Sequence, residues 1–323
     1  MFSLSPPRVK VGEKSISLDS SGVCSFISHA HSDHALVTKN STSSIIASVE
    51  TIELMKARKY PVKGKLEIPE KVTLANAGHI LGARQLVAET SGGIFAYTGD
   101  FRLSDSFCVK GAEVPQCDVL LMEATFGSPE YVFPPREQVA QEISKWVLKE
   151  REKGIVLLGG YSLGKAQELV KILNDYAGIT PLAEESVCKI NEVYMKHGVN
   201  LDFIKTNSPE GEEELKKNFV AVVPMHKVSA GLGFQLGKAH SKRVSSAVAT
   251  GWASTEKFGL TRAFCLSDHS DFPELLDFVE RTGAKKVFTH YGHSKKLARE
   301  LRSRGVNARG LDEQQTLLVS WEE

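Results

Sequence analysis

The chain has 323 residues, 40 Lys plus Arg against 39 Asp plus Glu, and a formal net charge of +1, with 41% hydrophobic and 24% charged residues. This composition excludes a disordered or collagen-like chain, and no stretch reaches the ~18–20 apolar residues of a membrane-spanning helix. Five scattered cysteines without a CxxC pair argue against a disulfide framework or a thiolate zinc site and fit a reducing cytosol. The opening MFSLSPPRVK lacks the apolar segment of a secretory leader, so a cytoplasmic protein is expected.

The length suits two domains, or one domain carrying an insertion, and no internal repeat is apparent. Residues 1–123 read as short strands joined by turns. Cys24–Ser28, Ile45–Ser48, Lys71–Ala75, Arg84–Glu89, Ile94–Thr98 and Asp118–Met122 are apolar, β-branched runs with Gly or Asp punctuation. One helix follows Ser48, with Ile52 and Met55 on one face.

After Glu123 the pattern changes. Pro134 and Pro135 open a helix from Arg136 to about Lys153, with Val139, Ile143, Trp146 and Val147 at helical spacing. Gly154–Leu158 reads as a buried strand and Gly164–Tyr176 as a helix, an alternation that implies a parallel sheet. It continues through strands Phe219–Pro224 and Val244–Gly251. A closing βα section has helix Pro273–Arg281, strand Lys286–His290, helix Ser294–Arg304 and strand Thr316–Trp321. The expected organisation is a mostly β host over 1–125 and 263–323, interrupted by an α/β insertion over 126–262.

Three of the ten histidines fall in one hexapeptide, His29-Ala-His31-Ser-Asp33-His34, directly after an apolar strand. Imidazole and carboxylate suit zinc or a similar divalent ion, and a strand-end loop can aim several of them at one point. Alternation separates His29 and His31 from Asp33 and His34, which points to two adjacent metals. Gly78-His79-Ile-Leu-Gly82-Ala83 and Thr98-Gly99-Asp100-Phe101 place another His and Asp just past strands.

HxHxDH, then GHxxGA, then GDF resembles the metallo-β-lactamase fold. Further on, Glu123 in Met-Glu-Ala-Thr-Phe-Gly, His269 in Ser-Asp-His-Ser-Asp and His290 in Phe-Thr-His-Tyr-Gly are similar to motifs A, B and C of the beta-CASP nucleases. The resemblance implies an α/β, four-layer αββα sandwich with an inserted beta-CASP cap. It implies that His29, His31 and His79 hold one metal, that Asp33, His34 and His290 hold the other, and that Asp100 bridges them. The ions would be zinc, or alternatively manganese. Asp33, Glu123 and His269 would take catalytic parts, with His269 as general acid oriented by Glu123. His293 competes with His290 as a ligand, but His290 ends a strand whereas His293 lies in the following turn. Asp268 and Asp271 flank His269 and are candidates to support it from behind, while Asp271 is equally expected to cap the helix opening at Pro273.

Within that family the segments Glu123-Ala-Thr-Phe-Gly and Tyr161-Ser-Leu-Gly-Lys-Ala-Gln-Glu-Leu resemble the short ligase-associated or SNM-type DNA exonucleases, a group also called mRNA 3′-end-processing-factor-like. The activity so implied is a DNA exonuclease of repair or processing, associated with ligase or helicase repair proteins and with no membrane. An RNA exo- or endonuclease is the alternative, since His290 goes with the RNA-type branch. A thioester or small-ester hydrolase is the reading from another class. Substrate contacts are expected from Tyr161, Ser162, Gly164 and Lys165, a strand-to-helix turn suited to phosphate, and from Trp252, suited to stacking a base.

The net charge conceals basic stretches. Met225–Phe264 carries Lys227, Lys238, Lys242, Arg243, Lys257 and Arg262 against Glu256 alone, and Lys56, Arg58, Lys59, Lys63 and Lys65 form another run. A polyanion responds to local field rather than total charge, so near-neutrality leaves nucleic acid as the expected partner.

Overall fold

The computed structural model describes residues 2–4, 7–35, 38, 42–311 and 318–319. The chain divides into two compact units. The first is Met1–Asp105, Val109–Val132 and His269–Glu323; the second is Ser106–Cys108 and Phe133–Asp268.

The first unit holds two mixed sheets. One runs, in spatial order, Leu318–Val319, Phe2–Leu4, Pro7–Val11, Lys14–Leu18, Cys24–Phe26, Ser44–Ile46 and Lys65–Leu66. The other runs Ala308–Gly310, Lys286–His290, Val119–Glu123, Gly93–Tyr97, Arg84–Thr90 and Val72–Asn76. Val9, Ile16, Leu18, Phe26 and Ile46 of the first sheet share one buried cluster with Val72, Leu86, Phe95, Tyr97, Val119, Leu121 and Phe288 of the second. Each such side chain stabilises by roughly 1.5–3 kcal/mol when fully buried. The host strands named from sequence all form, with ends moved by one or two residues. The N-terminal antiparallel pair Pro7–Val11 and Lys14–Leu18, which no single motif announces, forms the body of the first sheet. The final strand is seen as Leu318–Val319; the remainder of Thr316–Trp321 lies outside the described residues.

Two helices of this unit have clear sequence causes. Ser48 caps Val49–Ala57, its side chain accepting from the Thr51 N–H at 3.0 Å. Asp271 caps Phe272–Thr282 in the same way through the Glu274 N–H at 3.0 Å, the role its sequence position implies. That helix buries Leu275, Phe278 and Val279 and ends at Gly283, whose φ of 63° suits a residue without Cβ.

The second unit is built on a wholly parallel sheet in the order Ile204–Lys205, Leu182–Ala183, Val220–Pro224, Gly154–Gly160, Arg243–Ala249 and Arg262–Phe264. Gly154–Gly160 is buried along its length, as a central parallel strand should be. Helices Arg136–Arg151 and Lys165–Ala177 pack on it. Helices Glu185–Lys196, Pro209–Leu215 and Ala230–His240 complete the unit. Among the described residues no helix is long and apolar enough to cross a membrane.

Candidate metal centre

The hexapeptide leaves the strand Cys24–Phe26 and turns into the single helical turn Ser32–Ala35. His29 is fully buried, His34 is nearly so, His31 is half-buried and Asp33 is exposed. His79 enters from the loop after Val72–Asn76, and Asp100 from the loop after Gly93–Tyr97. Both loops turn on left-handed glycines, Gly78 (φ 68°) and Gly99 (φ 56°).

These side chains meet. His29 Nε2 lies 3.0 Å from His31 Nδ1, and His79 Nε2 lies 3.1 Å from the same atom. Asp100 Oδ2 stands 3.6 Å from His29 Nε2, 3.8 Å from His79 Nε2 and 3.5 Å from His34 Nε2. Asp33 Oδ2 is 3.6 Å from His34 Nε2. Donors ~2.1 Å from a tetrahedral ion are separated by about 3.4 Å, a spacing that the 3.5–3.8 Å separations around Asp100 approach. One carboxylate, Asp100, faces both donor groups. His29, His31, His79 and Asp100 form a set able to hold a divalent metal ion, and Asp100, Glu123 and His269 form an overlapping one.

Electrostatics separate the two buried histidines. Burial, followed by the charges of His34, His79 and His31, holds His29 well below the ordinary imidazole value. It is therefore neutral, as a metal ligand must be. At His34 burial opposes the charge but is outweighed by Asp100, Asp19 and Asp33, which raise the group to about 10, so a cation binding at its Nε2 would have to displace a proton. Burial also lifts Asp100 to about 6, against the pull of His34. A donor set this crowded with buried titrating groups suits a cation at its centre.

Asp19, which the sequence reading did not single out, organises the rings from behind. It accepts hydrogen bonds from the Ser28 N–H (2.7 Å), the Ser28 hydroxyl (2.6 Å) and the Tyr97 hydroxyl (2.9 Å), and it lies 2.8 Å from His34 Nδ1. With its proton committed to Asp19, Ser28 Oγ can accept from His29 Nδ1 at 2.9 Å. One buried carboxylate thus turns the Nε2 lone pairs of His29 and His34 toward the centre. Asp19 adopts φ 40°, a strained value for a residue with Cβ. Its signal was a weak one: it directly follows the alternating strand Lys14–Leu18, as Asp100 lies just past Gly93–Tyr97.

Glu123 and His269 form a second arrangement beside the first. Glu123 ends the strand Val119–Glu123 and is fully buried. Its carboxylate accepts from the Phe101 N–H (2.9 Å) and the Thr125 N–H (3.2 Å), and Oε1 lies 2.8 Å from His269 Nδ1. Burial alone would raise this carboxyl, but the His269 charge and these hydrogen bonds hold it below the usual range. The His269 ring is 4.6 Å from that of His79. Its backbone carbonyl accepts from Arg102 Nη1 at 3.1 Å, and Ser270 N–H donates to Phe101 O at 3.0 Å, so the loop is fixed on both sides.

His290 ends the strand Lys286–His290 in register with Glu123. Its ring lies 3.9 Å from that of Tyr291, and Nδ1 is buried with no hydrogen-bond partner among the described residues. Burial and then the His34 charge push it down to about 4. A neutral, buried imidazole with an unused nitrogen fits a ligand role. The His293 ring instead lies 5.2 Å from Tyr131, at the start of the helix Ser294–Ser303.

The residues expected to touch substrate lie in the second unit. Tyr161 is exposed, Ser162 and Trp252 are half-buried, and Gly164 starts its helix at φ 93°. Its N–H donates to Gln167 Oε1 at 2.8 Å, which occupies one donor of the expected phosphate seat. Lys165 differs from the sequence expectation. Its ammonium is 1% exposed and donates to Glu168 (2.8 Å) and Asp268 (2.7 Å), and Arg136 joins the network through Glu168 and the Ser267 carbonyl. A turn lysine reads as solvent-facing because partners as distant as Asp268 leave no local trace.

No protein-family model matches the chain. A probable DNA ligase of Opitutus terrae is 32% identical over 312 residues, which span 91% of this chain and 29% of that protein. Cleavage and polyadenylation specificity factor subunit 3 of Dictyostelium discoideum is 36% identical over 137 residues, 42% of this chain and 17% of that protein. The chain therefore spans less than a third of the length of either relative. The crystal structure of a protein of unknown function from Enterococcus faecalis V583 has a TM-score of 0.60 at 16% identity, covering 92% of this chain and 81% of that one, a likeness of fold.

Proposed function

The chain belongs to the metallo-β-lactamase/beta-CASP nuclease family, and from that premise we propose that it hydrolyses nucleic-acid phosphodiester bonds at two divalent metal ions. The observation that carries this is the single carboxylate, Asp100, within 3.5–3.8 Å of His34 on one side and of His29 and His79 on the other. In this reading His29, His31 and His79 hold one ion, Asp33, His34 and His290 hold the second, and Asp100 serves both. Zinc suits the imidazole-rich set best and manganese is the alternative. Bound there, two cations would make water nucleophilic near neutral pH and offset the charge with which a phosphodiester repels it.

The chain's own residues do the rest. Glu123, unprotonated, holds His269 by Nδ1 and favours the imidazolium. Nε2 of His269 is then the atom that donates a proton to the leaving oxygen. Tyr161, Ser162 and Trp252 are proposed to contact the strand, while Gly164 and Lys165 shape the turn that presents Tyr161. We read the first unit as the four-layer αββα sandwich, with the cap over 126–262. A cytosolic setting suits cysteines that are all free.

DNA is favoured because the resemblance to the probable DNA ligase runs over 91% of the chain, against 42% for the cleavage and polyadenylation factor. The same likeness is the ground for proposing association with ligase or helicase repair proteins. The test is a digest by metal-reconstituted protein of 5′- and 3′-labelled single-stranded DNA, duplex DNA and RNA of one sequence. Metal-dependent shortening of DNA from one labelled end supports the proposal. Cleavage of RNA alone moves the substrate to RNA, and hydrolysis of a thioester with every nucleic acid intact overturns the nuclease reading.

A further inference from the structure

The second unit carries a depression of about 530 Å³ between the helix Ala230–His240 and the strand Arg243–Ala249, floored in part by Thr261. We propose that it binds one nucleotide of a single-stranded nucleic acid, the base stacked on Phe234 and the phosphates met by Lys238 and Lys242. The proposal rests on the nuclease reading above for the identity of the polyanion, and it concerns residues separate from the metal centre.

The helix is unusual for its position. None of its residues is buried, and it contains Gly231, Gly233 and Gly237. None of these glycines has a positive φ. A Cβ on Gly231 would meet nothing nearer than Ser229 Oγ at 3.7 Å, and one on Gly233 nothing nearer than Val244 Cγ1 at 3.8 Å. These are ordinary contacts, so packing does not exclude a side chain at either position. Alanine would also strengthen the helix. What glycine does at 233 is leave the wall of the depression open, in a volume within the range of small-ligand sites.

Beside that opening Phe234 is 74% exposed, an expensive placement for a ring. Lys238 follows four residues later on the same helical face, so the ring and an ammonium are neighbours. Among the described residues no carboxylate lines the depression. Elsewhere in this basic stretch Lys227 pairs with Glu184, Arg243 with Glu150 and Arg262 with Glu142, whereas Lys257 has no ion pair among the described residues. Lys238 has no such pair among the described residues, and Lys242 reaches only the Lys216 carbonyl, at 2.8 Å. A flat ring next to uncompensated ammonium groups is the chemistry that stacks a base and holds its phosphates. Duplexes keep their base faces inside the stack, so the occupant is a single strand; an apolar peptide would leave the cations unused.

The experiment measures fluorescence anisotropy of a labelled fifteen-nucleotide oligothymidylate with the full chain in EDTA, where cleavage is absent. Phe234→Ala and Gly233→Leu should each weaken binding at least fivefold, and Phe234→Trp should retain it. Lys238→Gln should reduce the slope of log affinity against log salt by about one. Hydrolysis of bis(p-nitrophenyl) phosphate by the metal-loaded variants should match the parent, and blunt duplex affinity should ignore Phe234. The site is overturned if the chelated parent fails to bind the oligonucleotide, or if all variants bind within twofold of the parent with unchanged thermal unfolding. It is equally overturned if Phe234→Ala abolishes self-association in sedimentation and leaves oligonucleotide binding intact. Failure of the nuclease reading looks different: no phosphodiester is cleaved by metal-loaded protein, while Phe234-dependent binding persists.

Discussion

Asp19 shows how one side chain can govern a site without entering it. Its carboxylate takes Ser28, Tyr97 and the Nδ1 side of His34, and through Ser28 it sets the tautomer of His29. Asp19→Asn keeps the size but removes the charge and one acceptor. Metal affinity, measured by equilibrium dialysis of chelated protein, should fall ~10–100-fold, and unchanged affinity would show that the rings are oriented by other contacts. The proposed ligand residues could be picked out in sequence because His29, His31, Asp33 and His34 fall within one hexapeptide and His79 and Asp100 repeat the strand-end pattern. Asp19 and Lys165 were not legible in their roles. Each depends on partners that the fold brings from 78 and 103 residues away, Tyr97 and Asp268.

At the scale of elements, the loops matter more than the strands that carry them. Gly78 stands at φ 68°, and a Cβ there would fall 2.3 Å from the Arg102 carbonyl oxygen and 2.5 Å from the Ala112 nitrogen. Both are backbone atoms and neither can turn aside. Gly78→Ala should therefore cost more than the ~1–2 kcal/mol of the left-handed conformation alone, and it should displace His79. Gly305, at φ 82° with nothing within 4 Å of a Cβ, is the control and should lose only the conformational part on substitution by alanine. Chemical denaturation of both variants measures this; equal losses would mean that the close approach is readily relieved. Strands such as Gly154–Gly160 were legible because they are uniformly apolar, and helix Phe272–Thr282 because its cap and apolar face agree. Helix Ala230–His240, with three glycines and no buried face, offers no helical periodicity and escaped notice. The strands Leu182–Ala183 and Ile204–Lys205 are two residues long and leave no pattern to read.

Across the whole molecule, a net charge of +1 describes neither the acidic, histidine-rich centre of the first unit nor the basic stretch of the second. Two divalent ions would add about four positive charges at the centre, so the metal-loaded protein presents a different field to a polyanion than the metal-free chain does. In the proposed function two ions and the Glu123–His269 pair do separate work on one phosphodiester. The most direct measurement titrates metal into chelated parent and His269→Ala protein while following bound metal and two substrates, an end-labelled oligonucleotide and bis(p-nitrophenyl) phosphate. We predict two equivalents bound by both proteins. Oligonucleotide cleavage by His269→Ala should fall ~10²–10⁴-fold. Hydrolysis of the nitrophenyl ester, whose leaving group departs without a proton, should fall far less. Cleavage that survives chelation, fewer than two equivalents in the parent, or equal losses on both substrates would contradict it.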